Sequence, residues 1–409
     1  MSVKILRIAV ICSKLFFTAV GLICVGVVMS YSLSSYFVSF YHYGEFHFLW
    51  REMFAAVLGI VIMWVFAQLN PDSGFQKIGW LIFLFSIVLM VGMHFLPQSY
   101  VSSAGGAKRW IRLPYFSLAP SEFFKIGFVF FLAWSFSRKF GSGERRTLGD
   151  EIKLFIPYLF LFLVAVVLIA VLQNDLGQVI VLALTLAFML LCAGGSLRFL
   201  GLLMLLIAAV GSIAVISKPH RILRVKTWWA NAQDSILSFF PQDLASSLRV
   251  EDLPEPYQIY HATNAIYNGG LFGNGLGEGV IKLGFLSEVH TDIVLAGIAE
   301  ELGFVGLLLI VLAFIALNFY ILKIANHLAD NTHYLFCVGV ALLLNFSFII
   351  NAFGIAGITP IKGIAVPFLS YGGSSLLANC VAIGLVLSLA QKADFNPKPQ
   401  NNQQATQDS

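Results

Sequence analysis

A carboxylate stands at the point where a long polar segment meets an apolar segment of membrane length. This residue is Asp292, in the sequence SEVHTDIVLAGIAEELG at positions 287–303. A carboxylate held at a membrane surface by its neighbours could act as a general base on a substrate carried by lipid. Thr291 or Asp292 could instead cap the helix that follows, and the residues alone leave both roles open. Glu288 and His290 also invite a metal interpretation, but so few ligands in one loop do not define a site.

A second group of residues suits an anion. The sequence GGAKRWIRL at positions 105–113 carries Lys108, Arg109 and Arg112. Guanidinium groups match the geometry of phosphate oxygens, so these cations could hold a phosphate or a pyrophosphate. Contact with lipid headgroups or a solvated turn would use the same residues, and the sequence does not decide between these roles.

A third group combines an acid and a base at the expected start of a helix. In PSEFFKI, at positions 120–126, Glu122 and Lys125 are three residues apart and share one helix face. Ionisable residues inside a membrane span are costly and usually face a cavity or a partner. These two residues could form a structural ion pair, line a polar substrate cavity, or do both.

Two segments predict irregular backbone. GGLFGNGLGEG, at positions 269–279, lacks the preceding strand and the Gly-Lys-Ser/Thr ending of a nucleotide-binding loop, so we interpret it as tight, buried turns. ITPIKGIAVPFLSYGGSS, at positions 358–375, contains Lys362, Ser370 and Tyr371. Irregular backbone at membrane depth is tolerated only where it is buried in protein or lines a wet cavity. The alternative for this segment is a kinked helix start.

The composition requires that lipid surround much of the protein. Of the 409 residues, 58% are hydrophobic and 11% are charged, whereas a soluble domain has about 25% charged residues. The net charge is +4, and the basic residues lie in loops and at helix ends. That pattern fits membrane orientation and anionic headgroups rather than nucleic acid. The five cysteines form no CxxC pair, and we interpret them as free thiols.

Ten apolar segments are long enough to cross a membrane, since a span needs about 20 residues. They lie near positions 9–33, 52–69, 77–96, 121–137, 154–172, 176–193, 197–216, 292–323, 333–356 and 364–390. Basic residues before the first segment and in the loop at 138–153 indicate the cytoplasmic side. Ten crossings then place both termini in the cytoplasm.

The loop between the seventh and eighth predicted spans, which we number here as helices 7 and 8 of ten, is by far the longest. This segment, 217–291, is predicted to be extracytoplasmic, with helix-like pieces at 222–240 and 257–268. We therefore predict an all-α polytopic membrane protein with a single transmembrane domain at 1–392. The polar remainder, 393–409, is predicted to be a disordered cytoplasmic tail.

Together these segments resemble the SEDS family of membrane proteins, named for shape, elongation, division and sporulation. The motifs GAKRWI, PSEFFK, GGLFGNGLG, HTD…AEELG and PFLSYGGSS occur in the family's order and spacing across residues 9–392. Lys362 in TPIKGIAVP makes the chain most similar to the division branch, because the elongation and sporulation branches usually have Val-Thr-Gly there. Departures from the family pattern are Ser287 in place of proline, NDLG at 174–177 in place of proline-aspartate, and a longer stretch at 242–255.

The resemblance implies a peptidoglycan glycosyltransferase that polymerises lipid II at the division septum, on the outer face of the cytoplasmic (inner) membrane. Undecaprenyl pyrophosphate would be the leaving group. The family's essential aspartate falls on Asp292, which would take the proton from the acceptor sugar's 4-hydroxyl. The implied substrate-binding residues are Arg109 and Lys362, both toward the pyrophosphate, with Lys125, Glu122, Lys108, Ser370 and Tyr371. A divalent cation, Mg²⁺ or Mn²⁺, could share the charge, but the sequence shows no dedicated cage for one.

The resemblance also implies partners and rivals for this function. Expected partners are a class B penicillin-binding protein of the FtsI type, which cross-links the glycan, and the division proteins FtsQ, FtsL and FtsB. The main rival function is a lipid II flippase; an elongation polymerase of the RodA type and a scaffold for a transpeptidase are the others. Asp292 separates polymerase from flippase and scaffold, because only a polymerase needs a base at the outer surface.

Overall fold

A bundle of long helices and one small sheet make up the computed structural model, which describes residues 3–104, 107–113, 117–140, 147–250, 257–286, 288–360 and 363–394. The helices of these residues are α1 (Val3–Leu33), α2 (Ser35–Phe40), α3 (His47–Ala67), α4 (Ser73–Gly92), α5 (Pro120–Lys139), α6 (Leu148–Val166, continued by a π-helical turn to Leu172), α7 (Leu176–Cys192), α8 (Leu197–Ile216), α9 (Pro219–Leu237), α10 (Gln242–Leu248), α11 (Tyr257–Gly269), α12 (Val294–Ala325), α13 (Asn331–Ile355) and α14 (Gly373–Leu389). The strands are β1 (Val101–Ala104), β2 (Ala107–Arg112) and β3 (Ser117–Leu118).

The predicted class is confirmed: the chain is an all-α polytopic membrane protein. Among the described residues, 8 helices are long and apolar enough to cross a membrane. The other two predicted spans also coincide with helices, but α7 has only 17 residues and α5 carries Glu122 and Lys125 in its first turns. The number of crossings and the sides of the loops remain predictions.

The bundle has a buried centre and a lipid-facing rim. In α14, 89% of the span is buried inside the protein, whereas the figure is 61% in α13 and 11% in α8. Helix α14 packs against α3 and α5, and α13 packs against α5, α7 and α12. Aromatic rings fill the space between α4, α5 and α13, where Phe75 meets Phe130 and Phe336 at centroid distances of 5.3 and 5.0 Å. Most of α8 therefore faces away from the rest of the chain.

Two parts of the described chain differ from the expected layout. The segment around GGAKRWIRL is a three-stranded antiparallel sheet in the order β1-β2-β3, where no strand was expected. The last helix begins at Gly373 rather than at position 364, because Phe368 has a left-handed φ of 67° and Pro367 precedes it. The helix-like pieces expected inside 217–291 are present as α9 and α11. Of the predicted tail at 393–409, only positions 393 and 394 are among the described residues.

The glycine-rich segment joins α11 to the start of α12 through backbone contacts. The backbone N–H groups of Asn274 and Gly275 donate to the carbonyls of Glu300 and Glu301. Glu300 Oε1 accepts from the N–H groups of Val280 (2.8 Å) and Ile281 (2.9 Å). A hydrogen at the Cα of each close-packed glycine is what allows this approach. Glu300 and Glu301 therefore hold this junction.

Gly269 gives a direct test of this junction. A Cβ at position 269 would lie 1.9 Å from the backbone oxygen of Ala299, so Gly269→Ala forces two backbones apart. We expect a loss of about 1–3 kcal/mol, the usual cost of overpacking, and a lower Tm in a scan of the detergent-solubilised protein.

The matched control is Gly201→Ala in α8. A Cβ at Gly201 meets nothing within 4 Å, so this variant should keep the wild-type Tm or raise it slightly. Equal Tm values for Gly269→Ala and the wild type would contradict the described packing.

Candidate functional site

A cavity of about 930 Å³ lies where irregular segments meet the ends of α3, α5, α7 and α9. Its charged lining comes from six separate parts of the chain and consists of carboxylates and arginines, beside which lies the imidazole of His47. The acids are Glu52, Glu122, Asp175, Glu288 and Asp292, and the cations are Arg51, Arg109, Arg221 and Arg224. Amides and hydroxyls complete the wall, including Asn174, Gln178, Gln258, Ser121 and Tyr371. The cavity is large enough for a polar ligand and presents both carboxylates and guanidinium groups to it.

Asp292 faces this cavity and does not cap the helix that follows. The N-cap position of α12 is Ile293, with no side-chain hydrogen bond to the helix. Three successive N–H groups, those of Thr291, Asp292 and Ile293, donate to the carbonyl of Glu288, whose φ is 60°. This tight turn brings the Asp292 carboxylate to the cavity wall and leaves it without a capping role.

Burial and neighbouring acids hold the Asp292 carboxyl in an unusual state. Burial, followed by the charges of Glu288 and Asp175, raises its pKa to about 7, while Arg109 and Arg224 act in the opposite direction. Burial also raises the pKa of Asp175, which Arg109 partly offsets. A group with a pKa near neutrality can accept and release protons at working pH, as a general base must.

The loop segment before α14 supports the backbone of the Asp292 loop. The N–H of Tyr371 donates to the carbonyl of His290 at 2.8 Å, and Ser370 Oγ donates to the carbonyl of Thr291 at 2.6 Å. Ser370 is buried and holds the loop from behind, whereas the Tyr371 ring lines the cavity. Of these two predicted substrate-binding residues, the structure places only Tyr371 at the cavity surface.

Of the three candidate cations in β2, Arg109 and Lys108 have different positions. Arg109 lines the cavity, but its Nε and one terminal nitrogen donate to the carbonyls of Gln173 (2.7 Å) and Asn174 (2.8 Å). Lys108 points elsewhere, because its Nζ donates to the carbonyls of His94 and Leu96, just after α4. Lys108 thus anchors the sheet to the end of α4.

Glu122 and Lys125 form a buried pair at the start of α5. Their charged atoms are 2.8 Å apart, and the second oxygen of Glu122 accepts from Gln178 Nε2 at 2.9 Å. Glu122 lines the cavity and Lys125 lies behind it. Both roles that the sequence left open, ion pair and cavity wall, are therefore combined in Glu122.

Lys362 lies outside the described residues, although its neighbour Gly363 is described. A Cβ at Gly363 would stand 2.6 Å from Asp292 Oδ2. The absence of a side chain at position 363 is therefore what lets this segment and the carboxylate approach each other.

Two arginines of α9 were not singled out from the sequence. Arg221 donates to Ala214 at the end of α8 (2.9 Å) and to Asn174 Oδ1 (2.9 Å). The Arg224 guanidinium lines the cavity and has no hydrogen-bond acceptor within the described part of the chain. Their spacing of three residues, which places both on one face of a predicted helix, was the available signal.

Glu52 was also missed. It is a carboxylate within α3, 3% exposed, whose Oε2 accepts from the N–H of Gly372 at 3.3 Å. A charged residue inside an apolar span is by itself a reason to suspect a functional cavity, and that signal was present in WREMF.

A metal site is not formed by the described side chains. No three His, Cys, Asp or Glu groups within the described ranges are placed to hold a metal ion. His290, the one nearby imidazole in the motif, packs instead between Phe37 and Phe48, with ring centroids 4.6 and 5.3 Å away. Its burial lowers its pKa, which favours the neutral ring.

Comparison with known sequences gives a consistent family. A family model described as "cell cycle protein", covering FtsW, RodA and SpoVE, matches residues 13–394. A probable peptidoglycan glycosyltransferase FtsW of Helicobacter pylori J99 is 55% identical over 92% of this chain and 98% of its own length. A protein of the same description from Trichlorobacter lovleyi is 33% identical over 94% of each chain.

Comparison with solved structures gives the same architecture. The rod shape determining protein RodA of Thermus thermophilus superposes with a TM-score of 0.60 at 22% identity, covering 93% of this chain and 97% of RodA. A chain from a structure described as the coordination of polymerization and crosslinking by a peptidoglycan synthase complex gives a TM-score of 0.67 at 22% identity, covering 92% of this chain and 96% of that one. These likenesses show a shared fold.

The raised pKa of Asp292 predicts a stability effect with a definite sign. An acid whose pKa rises from 3.8 to about 7 on folding adds stability at low pH, which is lost as the pH rises through that window. Asp292→Asn removes this loss. We expect the Tm of Asp292→Asn to exceed that of the wild type by several degrees at about pH 8. At about pH 4 the two Tm values should be nearly equal.

Asp330→Asn is the matched control. Asp330 caps α13 through bonds to Thr332 and His333 far from the cavity, a role that asparagine also fills. If the difference in Tm between Asp292→Asn and the wild type does not grow with pH, ionisation of Asp292 does not destabilise the folded protein.

Proposed function

The chain belongs to the FtsW, RodA and SpoVE family of cell cycle proteins, and on that basis we propose that it is a peptidoglycan glycosyltransferase that polymerises lipid II at the division septum. The observation that carries the proposal is Asp292, a carboxylate with a pKa of about 7 in a cavity that also presents arginines. A base and a site for an anionic leaving group are the two requirements of this reaction.

The transfer uses one carboxylate and one leaving group. The ionised Asp292 takes the proton from the 4-hydroxyl of the acceptor sugar, and that oxygen attacks the anomeric carbon of the growing glycan. The bond from this carbon to the pyrophosphate oxygen breaks, and its electron pair leaves with undecaprenyl pyrophosphate. Asp292 then carries the proton of the acceptor hydroxyl, and it releases this proton to water.

The arginines supply the charge that the departing pyrophosphate requires. Fixed cations in a site of low dielectric stabilise charge that develops in the transition state. Arg224 lines the cavity and has no hydrogen-bond acceptor among the residues that the structure describes, whereas two donors of Arg109 are held by carbonyls, so Arg224 is the cation that we assign to the pyrophosphate. Arg109 therefore contributes mainly through the electrostatic potential of its positive charge. Glu122 contributes by holding the side-chain amide of Gln178 in the cavity wall. Lys362 remains a proposed pyrophosphate contact.

The location and partners follow from the same proposal. The cavity faces the extracytoplasmic side, where lipid II is presented, and the protein lies in the inner membrane at the septum. A class B penicillin-binding protein of the FtsI type cross-links the glycan, in keeping with the synthase complex that shares this fold. FtsQ, FtsL and FtsB complete the proposed assembly.

A flippase and a polymerase make opposite demands on Asp292. A flippase must expose a polar path on both membrane faces, and no step of lipid transport needs a base at one end. The buried Glu122–Lys125 pair, which could have marked such a path, is neutralised internally.

The first test is glycan formation from purified lipid II. The wild type and Asp292→Asn are each assayed with the cognate penicillin-binding protein, whose own active-site serine is removed. We expect the variant to lose roughly 100-fold or more of the rate, because general base catalysis contributes about 10²–10⁴-fold.

Asp330→Asn should polymerise at the wild-type rate. Equal rates for the wild type and Asp292→Asn would refute the assigned base, and lipid II translocation by vesicles without polymer would establish the flippase instead.

The pH profile gives a second test. The rate of the wild type should rise through pH 7 as Asp292 ionises. Since Arg224 lowers the pKa of Asp292 and Glu288 raises it, Arg224→Gln should move the rise to higher pH and Glu288→Gln should move it to lower pH.

Arg249→Gln removes one positive charge from the same loop region and serves as the control. Arg249 pairs with Asp234 at the surface, away from the cavity. If Arg224→Gln and Arg249→Gln shift the profile equally, the effect is one of net charge and not of the cavity.

A further inference from the structure

A single buried amide connects Asp292 to a membrane helix. Asn351 of α13 is 2% exposed, and its Nδ2 donates to the carbonyl of Asp292 at 2.6 Å and to that of Ile364 at 2.7 Å. The first carbonyl belongs to the loop of the base and the second to the segment that contains Lys362 and Gly363. Asn351 therefore joins the two irregular segments that meet at the carboxylate.

This bond completes a series of three. The carbonyls of His290, Thr291 and Asp292 are consecutive, and each accepts a hydrogen bond, from Tyr371, Ser370 and Asn351 in turn. The first two donors lie on the irregular segment before α14. Only the third lies on a long, well-packed helix, so Asn351 provides the rigid reference for the series.

Toward the described residues, the Asn351 side chain makes its hydrogen bonds as a donor and not as an acceptor. Asn351 Oδ1 has no hydrogen-bond partner within the described part of the chain, although it is buried. An unsatisfied buried acceptor costs about 1–3 kcal/mol, which an aliphatic side chain at this site would avoid. The two N–H donors must therefore offer something that packing alone cannot.

We propose that Asn351 is a positioning residue for the transfer reaction: by holding the carbonyls of Asp292 and Ile364 together, it sets the distance between the carboxylate and the segment at 363–364. This inference rests on the proposed function. The approach of Gly363 to Asp292 Oδ2 shows how little room for error the arrangement has. A displacement of about 1 Å at a reacting group can cost about 100-fold in rate.

The test uses Asn351→Ala and a matched variant of the same helix. Asn345→Ala removes another amide of α13 that also makes two hydrogen bonds, to Asn318 and Ala341, and lies outside the cavity lining. We expect Asn351→Ala to lower kcat roughly 10- to 100-fold with KM for lipid II changed less than about threefold. Asn345→Ala should keep kcat even where its Tm falls.

Asn351→Asp separates positioning from folding. The new carboxyl has the shape of the amide but can donate only when protonated, since an ionised group would repel both carbonyls. Asp292, whose carbonyl Asn351 holds, favours protonation of the new carboxyl, as do Glu288 and Asp175, the acids that act on Asp292; Arg109 and Arg224, which also act on Asp292, oppose it. The wild-type rate rises with pH as Asp292 ionises, so the informative quantity is the ratio of the Asn351→Asp rate to the wild-type rate, which should be highest at low pH and fall as the pH rises.

The outcomes are distinct. Wild-type kcat in Asn351→Ala, equal losses of kcat in the two alanine variants, or a wild-type pH profile in Asn351→Asp would each overturn the proposal. If Asn351→Ala does not fold, the profile of Asn351→Asp decides alone. The proposed function fails separately, when Asp292→Asn makes as much polymer as the wild type.

Discussion

Backbone groups at membrane depth need hydrogen-bond partners, because lipid offers none, and the rest of this structure depends on that constraint. Helices satisfy it internally. The irregular segments around Asp292 cannot, so they take their partners from one another and from buried side chains. The same requirement brings these segments together, and the polar cavity lies between them. The site is thus a direct result of where non-helical backbone can be tolerated.

The same constraint explains why the sequence motifs near Asp292 have different structural roles. The glycine-rich segment and Glu300 satisfy each other's polar groups and make a rigid junction at the start of α12. Lys282, Glu301 and Ser32 form a second buried connection, between this junction and α1. Charged residues in these motifs therefore support the fold, while the carboxylate of Asp292, eight residues before Glu300, lines the cavity without a side-chain partner among the described residues. Proximity in sequence to a catalytic motif is a poor guide to a chemical role.

Local patterns predicted much of the fold and part of the site. Apolar length located the helices, and the position of Asp292 before α12 was correctly placed at an interface between polar and apolar chain. The partners of Arg109 were not predictable, because they are backbone carbonyls 64 and 65 residues away. Lys108 shows the same limit, since its ammonium group is held by carbonyls of a neighbouring turn. Spacing tells which residues share a face, but not which of them are already occupied.

The exposure of α8 extends the site into its surroundings. Only 11% of the α8 span is buried, and α9, with its two cavity arginines, begins just after this helix and is tied to it by Arg221. The depth and tilt of a helix held mainly by lipid depend on the hydrophobic thickness of the bilayer. The α9 wall of the cavity is therefore held by protein contacts, such as the bond from Arg221 to Asn174, and by a helix whose depth depends on the bilayer. We expect a detergent micelle that does not reproduce the bilayer thickness to act on the surroundings of Arg224 through α8.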